Sequence, residues 1–372
     1  MRVVIFCHSL KSCWNHGNAH FLRGIASELA ARGHDVRIWE PADGWSRENV
    51  VRDHGADALE RYREAYPALE STEYDIGKLN LNAALEDAGL VLVHEWNEPS
   101  LVAAIGEHRA KQKAGYVLLF HDTHHRSASD PGALRRYDLR HYDGVLAFGS
   151  VIRDIYLKHG WARRAWTWHE AADTRVFYPR PAEIEPVGDL VWIGNWGEGE
   201  RTAELEEFLI GPVRDLRLRA RIYGVRYPEP ALEALRSAGI EYAGWLPNHR
   251  APEVFASHRV TVHVPRRFYS TLLPGVPTIR VFEALACGIP LVSAPWADAE
   301  GLFTPGEDFL VARDANEMRR HLATLFEDAT LRRDMAERGF ATIRARHTCA
   351  HRVDELMQVY EEITAPVREV IA

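Results

Sequence analysis

The sequence predicts an α/β protein made of two doubly wound halves. Short apolar runs alternate with helix-period segments, the alternation starts afresh after a proline-rich break, and a long helical stretch closes the chain. At 372 residues the chain exceeds what one ordinary hydrophobic core holds together, and 46% hydrophobic with 26% charged residues is a soluble globular composition.

The first half opens with an apolar run at residues 3–7 and a loop through Gly17. At 18–32, Phe21, Leu22, Ile25, Leu29 and Ala30 recur at helical spacing. Gly33 stops that helix and a strand follows at 36–39. A strand running into a glycine-bearing loop before a helix is how a doubly wound sheet begins. Further strands are expected at 90–94, 116–121, 145–148 and 165–168, whereas the more polar residues 47–86 read as helices outside the sheet. Pro179, Pro181 and Pro186 mark a linker at 179–188 after a first domain at 1–178. In a second domain, 189–345, strands are expected at 190–193, 219–223, 241–243, 260–264, 291–293 and 309–311, with helices at 201–209, 230–238 and 280–286. The pattern from 315 to 365 is helical throughout, and 346–372 is set apart as a closing helix.

A net charge of −8 argues against a nucleic-acid binder that works through a basic surface, while leaving room for a local basic pocket. Cys7, Cys13, Cys287 and Cys349 form no C-x-x-C pair and no metal-ligand spacing, which reads as reduced thiols in a cytoplasmic protein. His8 and Lys11 interrupt the first strand too soon for a secretory signal, and no run of about 18 apolar residues could cross a bilayer. No G-x-G-x-x-G follows the first strand, which weighs against a dinucleotide oxidoreductase.

Four stretches carry a resemblance. They are Val281-Phe-Glu-Ala-Leu-Ala-Cys-Gly-Ile-Pro-Leu-Val, Gly244-Trp-Leu-Pro-Asn, Asp173-Thr-Arg-Val-Phe-Tyr-Pro, and the loop and helix from Gly17 to Gly33. In these the chain resembles the GT-B glycosyltransferases, within them the retaining family-4-like group (glycosyl transferases group 1) and its spore-maturation-type branch. The resemblance implies two Rossmann-like domains facing across a cleft, with C-terminal helices crossing back to the first. It implies donor binding on the second domain, and the Gly244 segment packing on the nucleobase. The pattern is broken at Gly275, which stands where the family often has a first glutamate touching the donor sugar.

The residues suggest how such a site would work. Glu283, near the start of a helix beginning around Thr278 and Arg280, could accept ribose hydroxyls or simply cap its helix. The backbone from Gly275 to Thr278 reads as a pyrophosphate seat at that helix N-terminus, or as an unliganded proline-rich turn. Gly194 and Asn195 open a glycine loop that lets phosphate approach the backbone, and Arg201 follows it. The resemblance implies a basic pair against the leaving diphosphate; Arg201 with Arg266 or Arg267 is the candidate, the last two being otherwise a solvated basic turn. The run His121-Asp-Thr-His-His-Arg ends a strand at the ligand edge. Metal ligation, a surface histidine cluster, and contact of His121 or His124 with the transferred sugar remain three readings of it, with Asp122 orienting the histidine. Gly17, Asn18 and Glu95 are acceptor-side candidates, or parts of ordinary loops. The segment from His169 to Asp173 reads as a hinge, and Trp192, Trp196, Trp245 and Trp296 as core more readily than as stacking platforms.

The expectation is a cytoplasmic transferase that uses a UDP- or GDP-sugar as co-substrate, with retention and with no cofactor or metal ion. Its acceptor would be a small molecule, a glycan or a protein, not a nucleic acid. A nucleotide-sugar epimerase of the same fold and a catalytically silent nucleotide-sugar binding protein are the alternatives, the second because of Gly275.

Overall fold

The computed structural model describes residues 1–15, 17–112, 115–181, 186–197 and 199–365. The first sheet is parallel and contains β1 (Arg2–Phe6), β2 (Asp35–Pro41), β3 (Ser71–Tyr74), β4 (Ala88–His94), β5 (Val117–Asp122), β6 (Gly144–Ala147) and β7 (Ala165–Thr167), in the order β3-β2-β1-β4-β5-β6-β7. The second contains β8 (Gly188–Ile193), β9 (Ala220–Tyr223), β10 (Glu241–Tyr242), β11 (His258–His263), β12 (Leu291–Ser293) and β13 (Leu310–Val311), in the order β10-β9-β8-β11-β12-β13. In each sheet the winding reverses once, between β1 and β4 and between β8 and β11. Loops leaving the carboxyl ends of those strands part there and open a crevice.

Three expectations change. Residues 47–86 are not all helical, because β3 lies parallel to β2 in register Ile38 to Ser71 and Glu40 to Glu73. It is an edge strand whose Ser-Thr-Glu-Tyr sequence buries Tyr74 alone, so it has almost no apolar signature. The helix expected at 201–209 passes through a wide π turn at Glu206–Ile210 and continues to Leu216. The helical tail is three helices, Ala315–Glu327, Ala329–Arg346 and Cys349–Thr364. Asp314, Asp328 and Thr348 each cap the helix that follows by accepting an N–H of its first turn, which fixes the breaks. Of the linker at 179–188, residues 182–185 lie outside the described residues, as do 366–372 of the closing helix.

The helix Ala19–Ala31 buries Phe21, Leu22, Ile25 and Leu29 against the first sheet, each such side chain worth about 1.5–3 kcal/mol. The closing helix Cys349–Thr364 packs on this same helix through Val353 and Leu356. The indole of Trp168 donates to the Arg352 carbonyl at 2.8 Å, and Arg32 pairs with Asp354 at 2.6 Å. Gly24 permits the approach: a Cβ there would strike Cys349 Sγ and lie 2.8 Å from Asp173 Cβ. No helix among the described residues is long and apolar enough to cross a membrane.

Candidate active site

A cavity of about 1050 Å³ lies between the carboxyl edges of the two sheets and is lined by both. Its second-domain wall comes from Gly194 and Asn195 after β8, Arg226 after β9, Trp245 after β10, Arg266 after β11, and Thr278 to Arg280. Its first-domain wall comes from Gly17 and Asn18 after β1, Trp45 after β2, Trp96 after β4, and His124 and His125 after β5. Glu170, in the segment that follows β7, lines it as well.

The second-domain wall is cationic. Arg201, Arg266 and Arg280 all line the cavity and lie close enough that both others, after burial itself, lower the Arg201 pKa, to about 10. Arg201 stays charged at neutral pH, yet its donors are committed. Nη1 gives to the Val264 carbonyl at 2.7 Å, Nη2 to Asn195 O and Nε to Trp196 O. It braces the β8 loop against β11 and lends charge to the wall. Arg266 pairs with Glu200 at 2.8 Å, whereas Arg267 pairs with Glu204 and does not line the cavity; Arg266 is thus the member of that pair that faces the cleft. His263 binds Ser293 at 2.9 Å through Nδ1 and the Thr278 hydroxyl at 3.0 Å through Nε2. It anchors the residue from which the helix Ile279–Ala286 starts; in the first turn the Val281 amide donates to the Thr278 carbonyl at 3.1 Å, while those of Ile279 and Arg280 have no intrahelical carbonyl to bind.

The first-domain wall is aromatic, with neutral imidazoles beside Arg126 and the exposed acids Asp43, Glu98 and Asp130. Trp96 is 41% exposed; Arg126 lies over its ring at 4.2 Å and His124 meets its edge at 5.0 Å. Burial drives the imidazole pKa values down, His124 well below the usual range and His125 to about 4, with Arg126 and Arg266 pushing the same way. His125 in turn stacks on Phe268 of the second domain at 4.6 Å.

Several expected site residues lie elsewhere. His121 is fully buried among Phe21, His94 and Trp168, and does not line the cavity, so of the two candidate histidines only His124 does. Asp122 does not orient an imidazole. Its Oδ1 accepts the His124 amide at 3.0 Å, and burial together with the Glu95 charge pushes its carboxyl well up. Glu95 is fully buried, holding Arg126 at 2.8 Å and the Thr123 amide, and so offers nothing to an acceptor. Gly275 has φ +86° and sits where a Cβ would press on Glu300; its amide donates to Ala297 O at 2.7 Å. Gly275 is therefore committed, and this segment meets the cavity at Thr278, Ile279 and Arg280 instead.

Glu283 is the largest revision. Its carboxylate is 0% exposed, receives His20 Nδ1 at 3.0 Å and Asn248 Nδ2 at 2.7 Å on Oε1, and pairs with Arg280 through Oε2. His20 Nε2 accepts the Asp173 amide at 2.7 Å, so the ring proton sits on Nδ1 and is donated to Glu283. Burial pushes the Glu283 pKa up, but Arg280, His20 and Asn248 outweigh it and hold it below the ordinary value. With every oxygen engaged, Glu283 clasps the two domains and is not free to hold a ribose.

Among the described residues no three His, Cys, Asp or Glu side chains gather to hold a metal ion, so none is assembled around His121, His124 and His125. Residues 201–358 match the glycosyl transferase-like family. Sucrose-phosphate synthase from Thermosynechococcus elongatus, 15% identical, superposes with a TM-score of 0.62 over 98% of this chain and 99% of its own. HepE from Anabaena, solved with UDP and glucose, is 14% identical with a TM-score of 0.68 over 97% of this chain and 100% of its own. The chain has the GT-B fold, and its residues 201–358 are glycosyl transferase-like. An alpha-glucosyltransferase solved with UDP is 13% identical with a TM-score of 0.71 over 97% of this chain and 99% of its own. The alpha-glucosyltransferase has also been solved with UDP and a 13-mer DNA. No curated protein matches the sequence.

Sequence reasoning passed over Glu170, His263 and Arg226, all of which line the cavity. The pattern gave no sign of His263, whose role is fixed by Thr278 in another element. Glu170 lay in plain view within the hinge. Burial pushes its carboxyl up to about 8, the Asn18 hydrogen bond opposing and the Glu283 charge adding to the rise.

Proposed function

We propose that the enzyme transfers a sugar, with retention and without a metal ion, from a UDP-sugar to an acceptor that enters over the aromatic first-domain wall. The cluster of Arg201, Arg266 and Arg280 beside a helix N-terminus carries this reading. Fixed cations and free amides match a diphosphate and stabilise it as it leaves, the work a metal ion would otherwise do. Trp245, on the same wall, is placed to pack on the base. UDP is preferred to GDP because HepE and the alpha-glucosyltransferase were solved with UDP. His124 stands across the cavity from the arginines as a neutral hydrogen-bonding ring. The branch within the family, of spore-maturation type, rests on the sequence motifs. The net charge of −8 favours a small molecule, glycan or protein as acceptor over a nucleic acid.

Calorimetric titration with UDP and GDP tests the donor assignment, with UDP expected to bind more tightly. Failure of both nucleotides to bind would remove the reading. Donor turnover in EDTA is expected to equal turnover without it; a loss restored by Mg²⁺ or Mn²⁺ would overturn the metal-free mechanism.

A further inference from the structure

We propose that Glu170 is the carboxyl group that holds the hydroxyls of the transferred sugar, through Oε2, from between the two walls. The inference rests on the donor-site reading above and adds to it the contact that would select the sugar.

Four observations lead there. The other acids that line the cavity, Asp43, Glu98 and Asp130, are exposed, whereas Glu170 is 6% exposed. A buried polar group needs partners, and Glu170 has one on one side only: Oε1 accepts Asn18 Nδ2 at 2.8 Å, and no described residue bonds to Oε2. The Asn18 bond fixes the plane of the carboxyl, so Oε2 is a placed group. Finally, Glu170 feels the charges of Arg280 and Glu283, which puts it beside the first turn of Ile279–Ala286. A sugar linked to a diphosphate seated on that turn begins within reach of it.

The chemistry suits an uncharged ligand. A carboxyl with a pKa of about 8 is mostly protonated at pH 7, and can both donate to and accept from a hydroxyl. An ionised carboxylate next to a bound diphosphate would be repelled by it. Sugar binding therefore favours the protonated form and weakens as pH rises through about 8.

The experiment compares each UDP- or GDP-sugar of a panel with its parent nucleotide by calorimetry at pH 7 and pH 9. In the wild type, one sugar is expected to bind about tenfold more tightly than its nucleotide at pH 7, and to lose most of that gain at pH 9. Glu170→Ala should lose the gain at both pH values while binding the bare nucleotide normally. Glu170→Gln keeps a neutral group of the same shape and should retain the gain at both. A gain that survives in Glu170→Ala, an alkaline loss that persists in Glu170→Gln, or a panel without any gain over bare nucleotide would overturn the inference and leave the donor site standing. If no nucleotide binds the wild type, the donor-site reading falls first and takes this one with it.

Discussion

The two walls of the cleft handle charge in opposite ways. On the second domain, Arg201 stays charged at neutral pH although it is only 7% exposed, because backbone carbonyls receive its donors, while Arg266 pairs with Glu200 and Arg280 with Glu283. On the first domain, His124 and His125 are stripped of charge by burial, and the ions on that wall are Arg126 and the exposed Asp43, Glu98 and Asp130. A polar group survives burial only with partners, so the wall that needs charge has to surround it with acceptors. The wall that needs shape has no such requirement. Between them, Glu283 and Glu170 repeat the contrast at close range, one carboxylate saturated and ionised, the other half-partnered and protonated.

The most damaging way to break this arrangement is at the joint beneath it. His20→Ala leaves Glu283 buried with one donor fewer, and unfolding free energy in urea should drop by about 3–5 kcal/mol. A drop below about 1 kcal/mol would mean that the clasp is not buried in solution. On the second-domain wall, Arg266→Ala should weaken UDP binding by about 10- to 100-fold, about 1.5–3 kcal/mol, with the melting temperature almost unchanged. Unaltered affinity would move the diphosphate elsewhere.

Acid sharpens the comparison by acting on buried imidazoles, of which His124 and His125 line the first-domain wall and His263 the second. His94 and His125 have pKa values lowered from 6.5 to about 4. The unfolded chain thus takes up protons that the native state refuses, and stability present above pH 6.5 is lost as pH falls towards 4. The expected slope is about 1.4 kcal/mol per pH unit for each such histidine. Glu170, raised to about 8, has the opposite sign: its contribution is present below its unfolded value of 4.5 and fades as pH climbs through 8. Urea midpoints from pH 4 to 9 should therefore rise to about pH 6.5 and then fall towards pH 8, and a flat acid limb would contradict the buried histidines. Smallest of all, Trp96→Ala should raise the acceptor KM about fivefold, about 1 kcal/mol, without altering UDP affinity. An equal loss for both substrates would show that the two walls do not divide the substrates between them.

The alternation of strands and helices was legible because most strands of both sheets are buried apolar runs, such as Leu90 to Val93. β3 was not, since an edge strand with one buried residue has no period to detect. Within the site, the glycine loop at Gly194, the helix start at Thr278 and the basic residue Arg266 were readable as local chemistry at strand ends, and each of them lines the cavity. What could not be read was direction. Glu283 and His121 occupy the expected elements, but the first turns onto His20 from the other end of the chain and the second onto Trp168. Spacing along one segment carries no information about a partner supplied by another.

The closing helix has a consequence for how the molecule is made. Phe21, Ile25, Leu29 and Trp168 belong to the first domain, yet they are covered by Val353 and Leu356, which are made only after the second. The first domain must wait, with an apolar flank uncovered, until the second has been synthesised. A nascent chain halted before Cys349 should then bind a hydrophobic dye that the finished protein excludes.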